Sequence, residues 1–387
     1  MLAVIILFFL FISPLPAAEK QTICLNMIVK NESEVITRCL NSVKPMIDHW
    51  VIFDTGSTDG TQDIIRECMK DIPGELHERP WVNFAHNRNE ALDCARDKAD
   101  YVLIMDADDF LEFEKPFQKG KLTKDNYQIR IFRDSVSFYR TQLISMKCPW
   151  RWEGVLHEYL TCDEHCSSDI LDHVLYRTTH EGARSQDPDK YLKDAQLLEA
   201  ALKEEPNNTR YVFYLAQSYR DAGLNEKSLE WYKKRISMGG WDQEVYYSML
   251  QAAHLERDLK YPEEEIVESY CRAFRYRPHR LETTYYLMGL YRQMGRNDLA
   301  YCMGKAQDFV FKPAQRDILF VQDWIEEYGL LFELSICAYY VGAYQESIDL
   351  CDRLLKCETV PSDWKFRIER NREFAVARLD ESAERCA

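Results

Sequence analysis

The 387-residue chain lacks a basic excess: 49 Lys and Arg stand against 64 Asp and Glu, a net charge of -15. Such a balance repels polyanions and excludes general nucleic-acid binding, yet still permits one small anionic ligand held by local donors. No apolar run reaches the ~20 residues needed to span a bilayer. Residues 2–12 are wholly apolar, and Pro14, Pro16 and Ala17-Ala18 then resemble a cleavage region, although no Lys or Arg precedes the run. From this segment we expect residues 1–18 to be a signal peptide or apolar tail. Entry into the secretory lumen or export follows, with membrane association through the segment and a cytoplasmic location as alternatives.

A second pair of metal-spaced cysteines is also missing. Cys162, His165 and Cys166 supply half of a zinc pattern with nothing to complete it, so a local disulfide or two free thiols is the better reading. Cys39, Cys68 and Cys94 fall on apolar faces of predicted helices and Cys24 in a predicted strand, where thiols act as small buried hydrophobes.

What is present alternates. Residues 23–29 read as a buried strand, Val35, Ile36, Cys39, Leu40 and Val43 as a helical stripe, and residues 50–53 as a second strand. The turn Asp54-Thr55-Gly56-Ser57-Thr58-Asp59-Gly60 leads into a helix through Ile64, Ile65, Cys68 and Met69. A further helix through Ala91, Leu92 and Ala95 precedes the strand 101–105. This α/β alternation predicts a parallel sheet with ligands at the C-terminal ends of its strands, which brings Glu32, Asp54 and Asp106 to one edge. Aspartates and glycines also make turns unaided, but that does not explain Asp106-Ala107-Asp108-Asp109 placed directly after an apolar strand. The pair Asp106 and Asp108 suits Mg2+ or Mn2+, which in turn binds a diphosphate and neutralises it as a leaving group. A nucleotidyltransferase would use similar metal chemistry, but the Gly-rich, Lys-bearing loop expected after the first strand is absent.

From about Ser185 helix-favouring residues dominate to the end. Tyr214-Leu215-Ala216 with Tyr219 and Gly223 recurs as Tyr286-Leu287-Met288 with Tyr291 and Gly295, an offset of 72 residues, or two periods of 36. Leu255 replaces the tyrosine midway, and a degenerate copy surrounds Leu334, Tyr340 and Gly342. Three or four stacked helix-turn-helix repeats are expected, with a plain helical bundle as the alternative.

In order and spacing, Met27-Ile28-Val29-Lys30-Asn31-Glu32, then Asp54-Thr55-Gly56-Ser57-Thr58-Asp59-Gly60-Thr61, then Arg88-Asn89 and Asp106-Ala107-Asp108 resemble glycosyltransferase family 2 of the GT-A fold. The branch resembled is the one whose catalytic domain precedes tetratricopeptide-like helices. The resemblance implies a Rossmann-like nucleotide-sugar-binding domain over residues 19–184 and an all-α repeat domain over 185–387. It also implies that Glu32, Asp54, Arg88 and Asp106 bind the nucleotide sugar, commonly UDP-linked. Asp106, Asp108 and His180 would hold Mn2+ or Mg2+. The segment Trp150-Arg151-Trp152-Glu153-Gly154-Val155-Leu156-His157-Glu158 resembles the acceptor side, where Trp152 and Gly154 would contact a glycan or polypeptide acceptor. Most members of the family invert the anomeric centre with a carboxylate base. The usual Glu-Asp pair is absent, which leaves Glu158 beside His157 as the catalytic choice over Glu153. The helical repeats offer a surface for a protein partner. An inactive domain serving as a binding scaffold is the competing reading.

Overall fold

The computed structural model describes residues 21–117, 122–133, 136–307, 310 and 317–386. The chain divides into two compact units, one of residues up to Gln186 apart from 134–138 and Val155–His157, the other of those two short segments with the chain from Asp187 onward.

The first unit is built on a sheet of eight strands. β1 (Ile23–Val29), β2 (His49–Asp54), β3 (Gly74–Glu78) and β4 (Tyr101–Ile104) run parallel in the order β3-β2-β1-β4, joined by α1 (Ile36–Val43), α2 (Thr61–Cys68) and α3 (Phe84–Ala95). Their runs of apolar residues are buried because helical crossovers cover the faces of a parallel sheet. Trp50 and Gly74 show how closely β2 and β3 pack: a Cβ at Gly74 would stand 2.2 Å from the Trp50 ring. Cys24 and Cys39 are fully buried in this core, while Cys68 and Cys94 are partly covered.

Beyond β4 the sheet is mixed rather than wholly parallel. β5 (Phe110–Phe113), β6 (Asn126–Arg133), β7 (Val136–Ser145) and β10 (Ser168–Arg177) extend it in the order β4-β7-β6-β10-β5, with β7 antiparallel to β4 and β10 antiparallel to β5 but parallel to β6. A separate hairpin, β8 (Arg151–Glu153) with β9 (Tyr159–Thr161), packs near α3. Cys162 and Cys166 are free thiols at its base, beside Cys148 and Trp150.

The second unit is helical: α4 (Lys190–Glu204), α5 (Thr209–Asp221), α6 (Asn225–Met238), α7 (Asp242–Asp258), α8 (Glu263–Tyr276), α9 (Leu281–Gln293), α10 (Asn297–Ala306), α11 (Leu330–Tyr340), α12 (Tyr344–Leu355) and α13 (Ser362–Cys386). Four hairpins, α5-α6, α7-α8, α9-α10 and α11-α12, turn in the same way. The amide of Leu224 donates to Tyr219 O, Tyr261 to Glu256 O, Arg296 to Tyr291 O and Ala343 to Ala338 O, each at 2.8–2.9 Å. This bond closes a Schellman turn and requires a left-handed residue just before its donor. Gly223, Gly295 and Gly342 fill that place with φ of 74°, 73° and 82°; the second hairpin uses Lys260 at 60°. The missing glycine is why that repeat is faint in the sequence.

The localisation expected from the N-terminal segment is corrected. Residues 1–18 lie outside the described residues, and among the described residues no helix is long and apolar enough to cross a membrane. Apolar residues of α5 to α9 pack against one another in two buried clusters.

Candidate functional site

The loops that leave β1 and β2 are joined by reciprocal polar contacts. Asn31, at φ 57°, donates its amide to Ser57 Oγ and accepts from the Thr58 amide at Oδ1, while the Glu32 amide donates to Thr61 Oγ1. Asp54 ends β2 with no exposed surface. Its Oδ1 accepts from the amides of Gly56 and Ser57 at 2.9 and 2.8 Å and from Gln62 Nε2 at 3.2 Å. Its Oδ2 is buried and has no hydrogen-bond partner among the described residues. A buried carboxylate oxygen without a protein donor is costly, so this oxygen can accept a hydrogen bond from a water or a ligand N–H.

Arg88 rises from the second turn of α3 and joins two carboxylates. Its Nη2 donates to Asp106 Oδ1 and its Nε to Glu158 Oε1, both at 2.6 Å. The guanidinium also lies 5.0 Å from the centroid of the Trp152 ring, and Asn89 beside it exchanges hydrogen bonds with the Trp152 backbone. Burial raises the pKa of Asp106, but Arg88 and then Arg140 of β7 outweigh it and hold this carboxyl below its ordinary range.

Its neighbours are not neutralised in that way. Asp108 accepts the Gly182 amide at Oδ2, yet burial and the charge of Asp106 push it up. Asp109 is pushed up to about 8 by burial and by Asp106 and Asp108. Glu32, whose Oε2 accepts the Ala183 amide, is pushed up to about 7 by burial first and by the surrounding aspartates. Glu32 beyond β1 and Asp106, Asp108 and Asp109 beyond β4, four carboxylates from two strand ends, thus share one electronegative edge. His180 is exposed, and its positive form would favour ionised Asp108.

Other expected residues make further contacts. Trp152 is partly buried against the core that contains Trp150. Gly154 takes φ 104° where the chain leaves β8. His157, at φ 52°, stacks its ring on Tyr214 at 3.9 Å and accepts at its carbonyl from Arg210. The structure therefore assembles Glu32, Asp106, Asp108, Arg88 and Glu158, and sets Asp54 at the neighbouring strand end.

Sequence reasoning missed Arg140 and Tyr176. Tyr176 accepts the Asp106 amide at its hydroxyl, and Arg140 lies over the Tyr176 ring. Both come from β7 and β10, far along the chain; a charged residue inside the strand Tyr139-Arg140-Thr141-Gln142-Leu143 is the trace that pointed to one of them.

Among the described residues no group of three or more His, Cys, Asp or Glu side chains is arranged to hold a metal ion. For Mg2+ or Mn2+ the donor set still fits, because such ions are commonly held by one or two carboxylates together with substrate phosphates. The upward shift of Asp108 beside Asp106 is the surplus of negative charge that a cation would relieve.

The glycosyl transferase family 2 model matches residues 24–129, which carry Glu32, Asp54, Arg88, Asp106 and Asp108. The chain is 24% identical over 241 residues to the SPbeta prophage-derived glycosyltransferase SunS of Bacillus subtilis, covering 57% of this chain and 54% of that protein. It therefore spans about half the length of this relative. An uncharacterized glycosyltransferase of Rickettsia prowazekii is 35% identical over 89 residues, 23% of this chain and 28% of its own. A tetratricopeptide repeat protein from Parabacteroides merdae superposes with a TM-score of 0.36 at 19% identity, over 50% of this chain and 69% of that one. Residues 24–129 of the first unit thus match glycosyltransferase family 2, and the helical hairpins of the second unit follow them in the chain.

Proposed function

We propose that this protein transfers a glycosyl group from a nucleotide-diphosphate sugar, UDP-linked, to a glycan or polypeptide acceptor, with inversion at the anomeric carbon. The observation that carries this reading is Asp54: one oxygen held by three donors and the other buried without a partner among the described residues, as recognition of a base N–H requires. Glu32 lines the same loop. Asp106 and Asp108 would hold Mg2+ or Mn2+, which would supply Lewis-acid neutralisation of the departing diphosphate. Arg88 sets the orientation of Asp106 and Glu158 through its two ion pairs. Glu158 is the base that takes the acceptor proton, Trp152 and Gly154 shape the acceptor side, and His157 places the loop ahead of Glu158. The catalytic domain is assigned to residues 19–184, and the array from 185 onward recruits the acceptor.

The test is donor turnover by the full chain against a panel of UDP-sugars, with Mn2+ and with EDTA, read as UDP release and as label transferred to peptide and glycan acceptors. Metal-stimulated release from one donor is the expected result. A chain that binds no nucleoside diphosphate under either condition sinks the reading.

A further inference from the structure

Arginines that serve structure in this protein have their forks filled. Arg235, with no exposed surface, uses Nε and Nη2 on Glu244 and Nη1 on Gly239 O; Arg280 spends its nitrogens on Glu282, Asp317 and two carbonyls. Arg88 is 11% exposed and committed to Asp106 and Glu158. Arg140 differs. Its Nε donates to Gln142 Oε1 at 3.1 Å, and its guanidinium rests 5.5 Å from the Tyr176 ring centroid. Nη2 stops 3.7 Å from Asp106 Oδ2, beyond hydrogen-bond length, and the side chain is 44% exposed. One edge of the fork is anchored, and both terminal nitrogens donate to none of the described residues. They lie beside the electronegative edge formed by Asp106, Asp108 and Asp109, an unusual place to leave a cation half-open to solvent.

We propose that Arg140 is a diphosphate-binding residue, a second guanidinium that takes phosphate oxygens of the donor on the Oδ2 side of Asp106 while Arg88 occupies the Oδ1 side. The inference rests on the donor reading above. In the transfer, the bond from the acceptor oxygen to the anomeric carbon forms as the bond from that carbon to the phosphate oxygen breaks. The electron pair leaves with the diphosphate, and the acceptor proton passes to Glu158. Arg140 stays protonated throughout and donates to the oxygens on which the charge grows, a contact stronger at the end of the step than at its beginning. A planar fork already anchored at Nε by Gln142 loses little freedom in making it.

The experiment uses the full chain and its Arg140→Gln and Arg140→Lys variants, with calorimetric binding of UDP, UMP and inorganic pyrophosphate in EDTA and again in Mn2+. Loss of charge-assisted bonds predicts that Arg140→Gln weakens UDP and pyrophosphate by about 10- to 100-fold but UMP by less than about threefold, with Arg140→Lys recovering part. Melting temperatures without ligand should match the parent, since Arg140 closes no buried ion pair. Equal losses for UMP and UDP, or unchanged affinities for UDP and pyrophosphate, overturn the assignment. If the parent chain binds UDP and the variants bind it equally, this inference alone falls; if the parent binds neither UDP nor pyrophosphate, the donor reading falls with it.

Discussion

Arg88 Nε donates to Glu158 Oε1 at 2.6 Å across 70 positions of sequence, and both side chains are only 11% exposed. The same guanidinium holds Asp106, so its removal strands two carboxylates at once. Breaking a buried pair costs about 3–5 kcal/mol, more than the intact pair contributes, because the remaining charge is left uncompensated. Arg88→Met should therefore lower unfolding free energy by about that amount in urea titrations, and adding Glu158→Gln should recover part of it. A cost below about 1 kcal/mol would show the pair to be solvated.

Asp54→Asn separates fold from recognition. Oδ1 can keep its three donors, so the loop should hold and the melting temperature change little. An amide nitrogen in place of Oδ2 turns an acceptor into a donor, and nucleotide affinity should fall by about 10-fold or more. Because contacts to the base are alike in ground and transition states, KM should rise while kcat at saturation stays near the parent value. A large fall in kcat with KM unchanged contradicts the role.

Gly182 is a spacing residue for Asp108. A Cβ there would meet Asp108 Oδ2 at 2.8 Å and Cγ at 3.0 Å, so the carboxylate must move. Gly182→Ala should lower turnover by about 10- to 100-fold, the scale of an ångström-sized misplacement, and weaken the response to Mn2+. Unchanged metal-titration curves would show that Asp108 does not need this position.

Stability of the ligand-free protein should depend on pH through Glu32, whose folded pKa is raised from 4.5 to about 7 by burial and the neighbouring aspartates. A carboxyl raised in the folded state contributes stability that is fully present below the unfolded value and is lost as pH rises through the folded one. The melting temperature should accordingly fall between about pH 4.5 and 7, and Glu32→Gln should flatten that part of the profile. An identical slope in the variant would assign the loss to other groups.

Much of the α/β half was legible because burial on both sheet faces writes apolar runs of strand length, and 23–29, 50–53 and 101–105 were such runs. β3 was not, since Gly74-Glu75-Leu76-His77-Glu78 lies at the sheet edge and carries polar side chains that no burial forbids. The β7 and β10 strands were missed for a related reason: their charged residues, Arg140 among them, face the site or solvent and break the apolar pattern. The repeats were legible where glycine supplies the left-handed turn and obscure at Lys260, where the geometry is kept without it.

By itself the sequence determined the α/β class, the order of its ligand loops and the tetratricopeptide-like period, because period, turn chemistry and burial are local properties of consecutive residues. Tertiary structure alone decided which charges answer which. Asp106 is neutralised by Arg88 and Arg140 from different elements, Asp108 is left in electrostatic surplus, and the His157 ring is spent on Tyr214. Those outcomes depend on distances of a few ångströms between positions tens of residues apart, and electrostatic energy in a partly buried site changes steeply over such distances.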